Sequence, residues 1–114
     1  MTYEELKAMA LALPQTVEGS SYGKPSFLSF GKFLTRLRRE DGSLVLHCTF
    51  DEREMLMEAE PGTFHLTPHY KDYPCVLARL DSVDAGTVKG FLERRWRQVA
   101  PKKFLKAWEA AREA

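Results

Sequence analysis

The sequence lacks an apolar run of the roughly 18 to 20 residues that a membrane-spanning helix needs, and its opening MTYEELK does not lead a basic segment into an apolar one. It also has no CxxC, no HExxH, no glycine-rich phosphate loop and no nucleophile elbow. The three histidines, His47, His65 and His69, lack a spacing that specifies a metal site. We therefore expect a cytoplasmic, non-catalytic protein without a metal or a cofactor.

Cysteine is scarce, and the two that occur are far apart. Cys48 and Cys75 each lie inside an apolar, strand-like run and lack the close pairing of a redox or zinc motif. This placement predicts buried, reduced thiols. The sequence leaves open whether the two meet across neighbouring strands.

An excess of charge of one sign is also missing, since 17 Lys and Arg face 16 Asp and Glu for a net charge of +1. This is far from the basic balance typical of nucleic-acid-binding domains. The distribution is nevertheless uneven: residues 88–114 hold eight basic and three acidic residues, and the remainder holds nine basic and 13 acidic ones. Such asymmetry fits either a polyanionic partner or an intramolecular match between a basic C-terminal part and an acidic body.

The length of 114 residues and a hydrophobic content of 44% are sufficient for one core, so residues 1–114 are expected to form a single domain. Capping signals and helical spacing predict four helices, with Thr2, Asp51 and Asp84 as the caps of the first three. Residues 15–25 are predicted to be a loop. The element order is helix, three strands, helix, two strands, helix, helix. It indicates a two-layer α+β domain with an antiparallel sheet of about five strands.

The pair Asp41-Gly42 predicts a two-residue hairpin turn between two β-rich runs. With that turn, Glu40 pairs with Ser43 and Arg36 pairs with His47. Directly opposed residues share one face of a sheet. One face is then the core, formed by Phe33, Leu37, Leu46, Cys48 and Phe50. The other is basic and solvent-facing, formed by Arg36, Arg38 and His47, with Arg39 near the turn.

The octapeptide TPHYKDYP, residues 67–74, allows three interpretations. As a catalytic loop it offers His69 as a base, but nothing completes the machinery. As a ligand or partner contact it offers aromatic and polar tips. As a structural connection it is stiffened at both ends, because Pro68 and Pro74 hold the residues before them extended.

The stretch SYGKPSF, residues 21–27, allows two interpretations. Tyr22 could stack on a ring and Lys24 could bind a phosphate, or the stretch is a loop feeding the first strand. If residues 22–24 lie beside His69 and Tyr73 in the fold, a small polar pocket is favoured.

SYGKPSF, the hairpin REDGSLVLH and above all FHLTPHYKDYPCVLARLDSV resemble the MmcQ/YjbR family of small bacterial proteins along essentially the whole chain. The resemblance implies an α+β fold with the same element order and an antiparallel sheet similar to that of secretion-chaperone-like domains. It also implies DNA binding, by analogy with a double-wing transcription-factor domain. It supplies no catalytic residue.

Our leading hypothesis from the sequence is a DNA-binding protein that contacts the nucleic-acid backbone through Arg36, Arg38, Arg39 and Lys71. The alternative is a module that binds a protein partner or a small ligand in a pocket formed by Tyr22, Lys24, His69 and Tyr73. Neither hypothesis involves a membrane.

Overall fold

In the computed structural model, which describes residues 1–21 and 23–113, one helix precedes five strands, a second helix precedes two more strands, and two helices follow. A short 3-10 helix, Pro68–Tyr70, lies between the last two strands. The helices are α1 (Tyr3–Leu11), α2 (Phe50–Ala59), α3 (Ala85–Val99) and α4 (Lys102–Glu113). The strands are β1 (Thr16–Ser21), β2 (Lys24–Ser29), β3 (Lys32–Thr35), β4 (Leu37–Arg38), β5 (Ser43–His47), β6 (Phe64–His65) and β7 (Cys75–Arg79).

The strands form two antiparallel sheets, one of order β1-β2-β3 and one of order β4-β5-β7-β6. The sheets meet where the chain passes from β3 to β4. There the Val45 amide donates to the Arg36 carbonyl over 3.0 Å, and the Thr35 hydroxyl donates to the Val45 carbonyl over 2.8 Å. The predicted α+β class and antiparallel pairing are confirmed. Within the described residues there are seven strands, however, instead of about five.

Strand β1 lies inside the stretch that the sequence predicted to be a loop. It pairs with β2 over its full length, from Thr16 opposite Ser29 to Ser21 opposite Lys24. At one end the Thr16 and Ser29 hydroxyl oxygens lie 2.6 Å apart in a buried contact. Gly and Ser have low intrinsic β propensity, so the local pattern gave no strand signal, and pairing with β2 overrides it.

The hairpin register differs from the prediction by two residues. Arg38 pairs with Ser43 and Leu37 with Leu44, so four residues rather than two connect β4 to β5. The connection is closed by the Gly42 amide, which donates to the Arg38 carbonyl over 2.9 Å, and Gly42 has a φ of +66°. A shift of two keeps the side chains of β4 and β5 on their predicted faces. The two-residue turn is therefore wrong, whereas the division of β4 and β5 into two faces holds.

Two predicted core residues nevertheless lie elsewhere. The strand is interrupted at Arg36, between β3 and β4, so the alternation changes there: Leu34 is in the main core and Phe33 is on the opposite side. Phe50 is 46% exposed because it begins α2 instead of extending a strand.

The main core lies between the helices and the sheets. Leu6 of α1 and the Val88, Leu92 and Trp96 side chains of α3 are buried there. Trp96 is 1% exposed and lies in contact with three other aromatic rings, those of Phe30, Phe104 and Trp108. A second, smaller cluster covers the opposite face of β5 and β7; it consists of Val45, Tyr70, Cys75 and Leu77, with Phe33 and Leu66 packed against it.

The structure confirms two of the three helix caps that the sequence predicted. Thr2 and Asp84 cap α1 and α3 as predicted. The cap of α2 is Thr49 instead of Asp51, and it forms a capping box with Glu52. Among the helices of residues 1–21 and 23–113, none is long and apolar enough to cross a membrane.

Both cysteines are free and buried, as predicted. Cys48 belongs to the main core and Cys75 to the second cluster. Burial raises the pKa of each thiol to about 11. Neither thiol is therefore a ready nucleophile near neutral pH.

Candidate ligand pocket

A cavity of about 440 Å³ opens beside the second cluster, between β5 and the segment 67–74. Its apolar wall comes from Phe33, Val45, Pro74 and Cys75. Its polar and aromatic lining comes from Lys24, Arg36, His47, His69, Tyr70 and Tyr73. The volume is within the usual range for small-molecule sites.

Segment 67–74 forms the aromatic side of this cavity. Tyr70 is buried at 8% exposure, at the end of the short 3-10 helix. The His69 ring meets the Tyr70 ring edge to face at 4.7 Å between centroids, and the Tyr73 ring lies 6.2 Å from that of Tyr70. These geometries are favourable for aromatic pairs. The three rings therefore form one cluster, defined here as the aromatic cluster His69, Tyr70 and Tyr73.

The segment is held in place by Arg53 of α2, a buried residue at 6% exposure. One Nη of Arg53 lies 3.0 Å from the Tyr73 carbonyl oxygen, 3.3 Å from that of Cys75 and 3.4 Å from that of Tyr70. The other Nη donates to the Lys71 carbonyl over 3.1 Å. Backbone carbonyls thus compensate for the burial of this cation.

Sequence reasoning missed Arg53. The available signal was weak: Arg53 is the lone basic residue in the acidic stretch 51–60. The sequence could not show that this position faces the carbonyls of a segment about 20 residues further along the chain.

Arg36 lies inside the pocket at 8% exposure. One of its Nη atoms donates to the Tyr70 hydroxyl. Within residues 1–21 and 23–113, no carboxylate forms an ion pair with it. The prediction that Arg36 is solvent-facing is therefore wrong, because segment 67–74 covers this face of β5.

The Arg38 guanidinium is also largely covered, with 14% of its side chain exposed. It pairs with Asp41 at 2.8 Å and with Glu40 at 3.4 Å, and it lies 5.4 Å from the centre of the Tyr70 ring. Arg39 and Lys71, by contrast, are exposed. The four predicted nucleic-acid contacts thus do not form one open basic face, although a role of each in binding DNA stays a prediction.

The predicted ligand-binding residues do come together where the structure describes them. Lys24, His69 and Tyr73 all line the same cavity, although Lys24 is more than 40 residues away in sequence from the other two. Tyr22 lies outside the described residues. The structural interpretation of the octapeptide also holds in part, since Tyr70 is packed beneath it.

The charges in the pocket are of one sign. The lining contains no Asp or Glu among the described residues. Burial, with the nearby Arg95 and Arg94 cations, lowers the pKa of His47, so its imidazole is neutral at neutral pH. The fixed positive charges are therefore those of Lys24 and Arg36.

A Ser-His-Asp grouping outside the pocket does not form a catalytic triad. Ser43 Oγ lies 2.7 Å from His65 Nε2, and Asp41 Oδ2 lies 3.9 Å from that same nitrogen. A triad uses the two ring nitrogens for the two partners. The Ser43 side chain is also fully buried, so these contacts are structural. The described residues contain no group of three or more His, Cys, Asp or Glu that could hold a metal ion.

Comparison with known proteins places the chain in a family. The model of the family described as YjbR matches residues 11–98. Two curated relatives, from Mycobacterium bovis and Mycobacterium tuberculosis, are each 27% identical over 96% of this chain and 96% of their own length. Both are described only as uncharacterized proteins. No solved structure is a significant match. Since the family match spans most of the described elements, from the end of α1 to the end of α3, the chain belongs to the YjbR family.

Proposed function

We propose that the protein is a non-catalytic binding module that takes a small organic ligand into the cavity beneath segment 67–74. The observation that carries this proposal is the cavity itself, which brings Lys24, His69 and Tyr73 together with the buried Arg36. Small-molecule sites are typically concave, mostly apolar, and provided with a few convergent polar groups. This lining has that composition.

Preorganisation supports the same conclusion. Pro68 and Pro74 restrict the two ends of the segment. The Arg53 guanidinium binds three of its carbonyls and the Cys75 carbonyl just beyond it. A wall that is already ordered loses little conformational entropy when a ligand binds. The rings of the aromatic cluster are thus available as a fixed contact surface.

The test is a thermal-shift screen of a metabolite and fragment library, since a ligand that binds only the folded state raises the melting temperature. We expect hits for the unmodified protein that are lost or weakened in Tyr73→Ala, which removes an exposed cavity wall. Met55→Ala is the matched control: Met55 is 69% exposed and does not line the cavity. An absence of hits, or hits equally affected by both variants, would count against the pocket.

DNA binding is the second candidate, supported by the exposure of Arg39 and Lys71. Exposed arginine and lysine side chains contact phosphates without distinguishing sequence. Arg36 and Arg38 support it less, because the first is buried and the second is paired with carboxylates.

A salt titration of binding to a random duplex tests this candidate. Phosphate contacts require that affinity falls as salt rises, and the double variant Arg39→Ala, Lys71→Ala should flatten the slope of log affinity against log salt by about two. The matched control is Lys32→Ala, an exposed lysine of β3. No binding at low salt would end the candidate.

A further inference from the structure

We propose that the ligand is a small aromatic anion, whose negative group binds the Arg36 guanidinium and whose ring lies against the aromatic cluster. This inference rests on the proposed function and specifies the chemical class of the ligand. Its first support is the state of Arg36, and its second is the composition of the cavity.

Three guanidinium groups surround Tyr70, and their partners differ. Arg38 lies beside the Tyr70 ring and pairs with two carboxylates, Glu40 and Asp41. Arg53 is bonded to four backbone carbonyls. Arg36 has the Tyr70 hydroxyl as its hydrogen-bond partner. Within the described part of the chain, no carboxylate compensates its charge.

A buried cation without an anionic partner is costly, because little water is left to solvate it. Arg36 is more than nine-tenths buried, and the space beside it is the cavity. A guanidinium presents a planar fork of donors that matches a carboxylate or a phosphate. An anion entering the cavity would therefore supply the partner that the protein does not.

The rest of the lining favours the same class of ligand. Lys24, exposed at the mouth, adds a second positive charge, and no acidic residue of residues 1–21 and 23–113 lines the cavity to repel an anion. Aromatic rings form much of the wall, because Phe33 lines the cavity together with the aromatic cluster. A flat aromatic ligand in contact with such rings gains interaction energy beyond that of the apolar area it buries. The apolar wall formed by Val45, Pro74 and Cys75 disfavours a ligand that is polar throughout, because it offers such a ligand little hydrogen bonding.

The test compares matched probes on the unmodified protein by isothermal titration calorimetry. The probes are 2-naphthoate, 2-naphthyl phosphate, the neutral amide 2-naphthamide and inorganic phosphate. We expect at least one of the aryl anions to bind about tenfold or more tightly than the amide. Inorganic phosphate alone should bind weakly, because it lacks the ring. The affinities for the two aryl anions also show whether the site prefers a carboxylate or a phosphate.

Two variants then test which basic side chain binds the negative group of the ligand. Arg36→Met should abolish the preference for the anion over the amide, and Lys24→Met should reduce it by a smaller factor. The amide is the internal control for folding, since its affinity should change by less than about threefold in either variant. Should Arg36→Met fail to fold, the comparison of anion and amide in the unmodified protein still decides the inference.

The outcomes separate this inference from the proposed function. Equal affinities for naphthoate, naphthyl phosphate and naphthamide would contradict the requirement for a negative charge. The cavity would then be a binding site for neutral aryl groups. If inorganic phosphate binds as tightly as naphthyl phosphate, the aromatic ring does not contribute to the affinity, and that part of the inference is contradicted. If neither the naphthyl probes nor the library described above bind, the proposed function fails as well.

Discussion

Replacement of Arg53 by methionine is expected to lower the free energy of unfolding by about 3 kcal/mol. The Arg53 guanidinium is bonded to the carbonyls of Tyr70, Lys71, Tyr73 and Cys75. Methionine preserves much of the apolar stem but provides no donor, so these carbonyls lose their partner in a buried environment. Urea denaturation followed by circular dichroism measures the change.

The matched control is Arg79→Met, which removes an exposed arginine from β7 and should change stability by less than about 0.5 kcal/mol. Arg53→Lys should fall between the two, because one ammonium group cannot reach all four oxygens. Hydrogen exchange should accelerate first in residues 70–75 and leave α3 protected. A loss of under about 1 kcal/mol in Arg53→Met would mean that the prolines and the Tyr70 ring hold the segment without the guanidinium.

Truncation of Trp96 to alanine is expected to lower the free energy of unfolding by about 3 to 5 kcal/mol. Its ring is 1% exposed and contacts Phe30, Phe104 and Trp108, which join α3 and α4 to the β2–β3 turn. Its Nε1 also donates to the Pro14 carbonyl over 2.8 Å. Alanine leaves a cavity at this meeting point, and the Pro14 carbonyl keeps only its longer hydrogen bond, the one from the Thr16 hydroxyl at 3.5 Å. Thermal and urea unfolding both measure the loss.

The matched control for Trp96 is Trp108→Ala, because Trp108 belongs to the same ring cluster but is only half-buried. Trp108→Ala should lower the free energy of unfolding by less than Trp96→Ala does. Trp96→Phe should retain most of the packing and lose the hydrogen bond to Pro14. Since the ligand pocket lies on the other side of the four-stranded sheet, folded Trp96→Phe should bind the naphthyl probes as the unmodified protein does. A cost of Trp96→Ala no greater than that of Trp108→Ala would contradict the central role of Trp96.

The local signals that predicted the helices depended on nearby residues. The Thr2 capping box and the Asp84 cap each involve a partner three residues away, so their chemistry is visible in a short window. The same reasoning misplaced the cap of α2 by two residues, because Thr49 and Asp51 are both acceptable caps and only the backbone path decides between them.

The hairpin shows where local signals stop being sufficient. Asp41-Gly42 is a strong turn signal, and a turn does form there. Its length is set by further contacts, among them the Asp41 carboxylate, which accepts from the Ser43 amide at 3.1 Å and from the Arg38 guanidinium at 2.8 Å. The side chains of β4 and β5 stayed on their predicted faces because the shift in register was even.

The sequence by itself determined the family, the α+β class, the free buried thiols and the positions of the helices, because these depend on composition, on periodicity and on contacts within a few residues. It also pointed to Lys24, His69 and Tyr73 as a candidate set. Only the tertiary structure decided which face is exposed. Segment 67–74 covers the face that carries Arg36, and Arg53 holds the segment there through contacts across about 20 residues of chain. Burial and pairing of a charge depend on such distant contacts, which no local pattern contains.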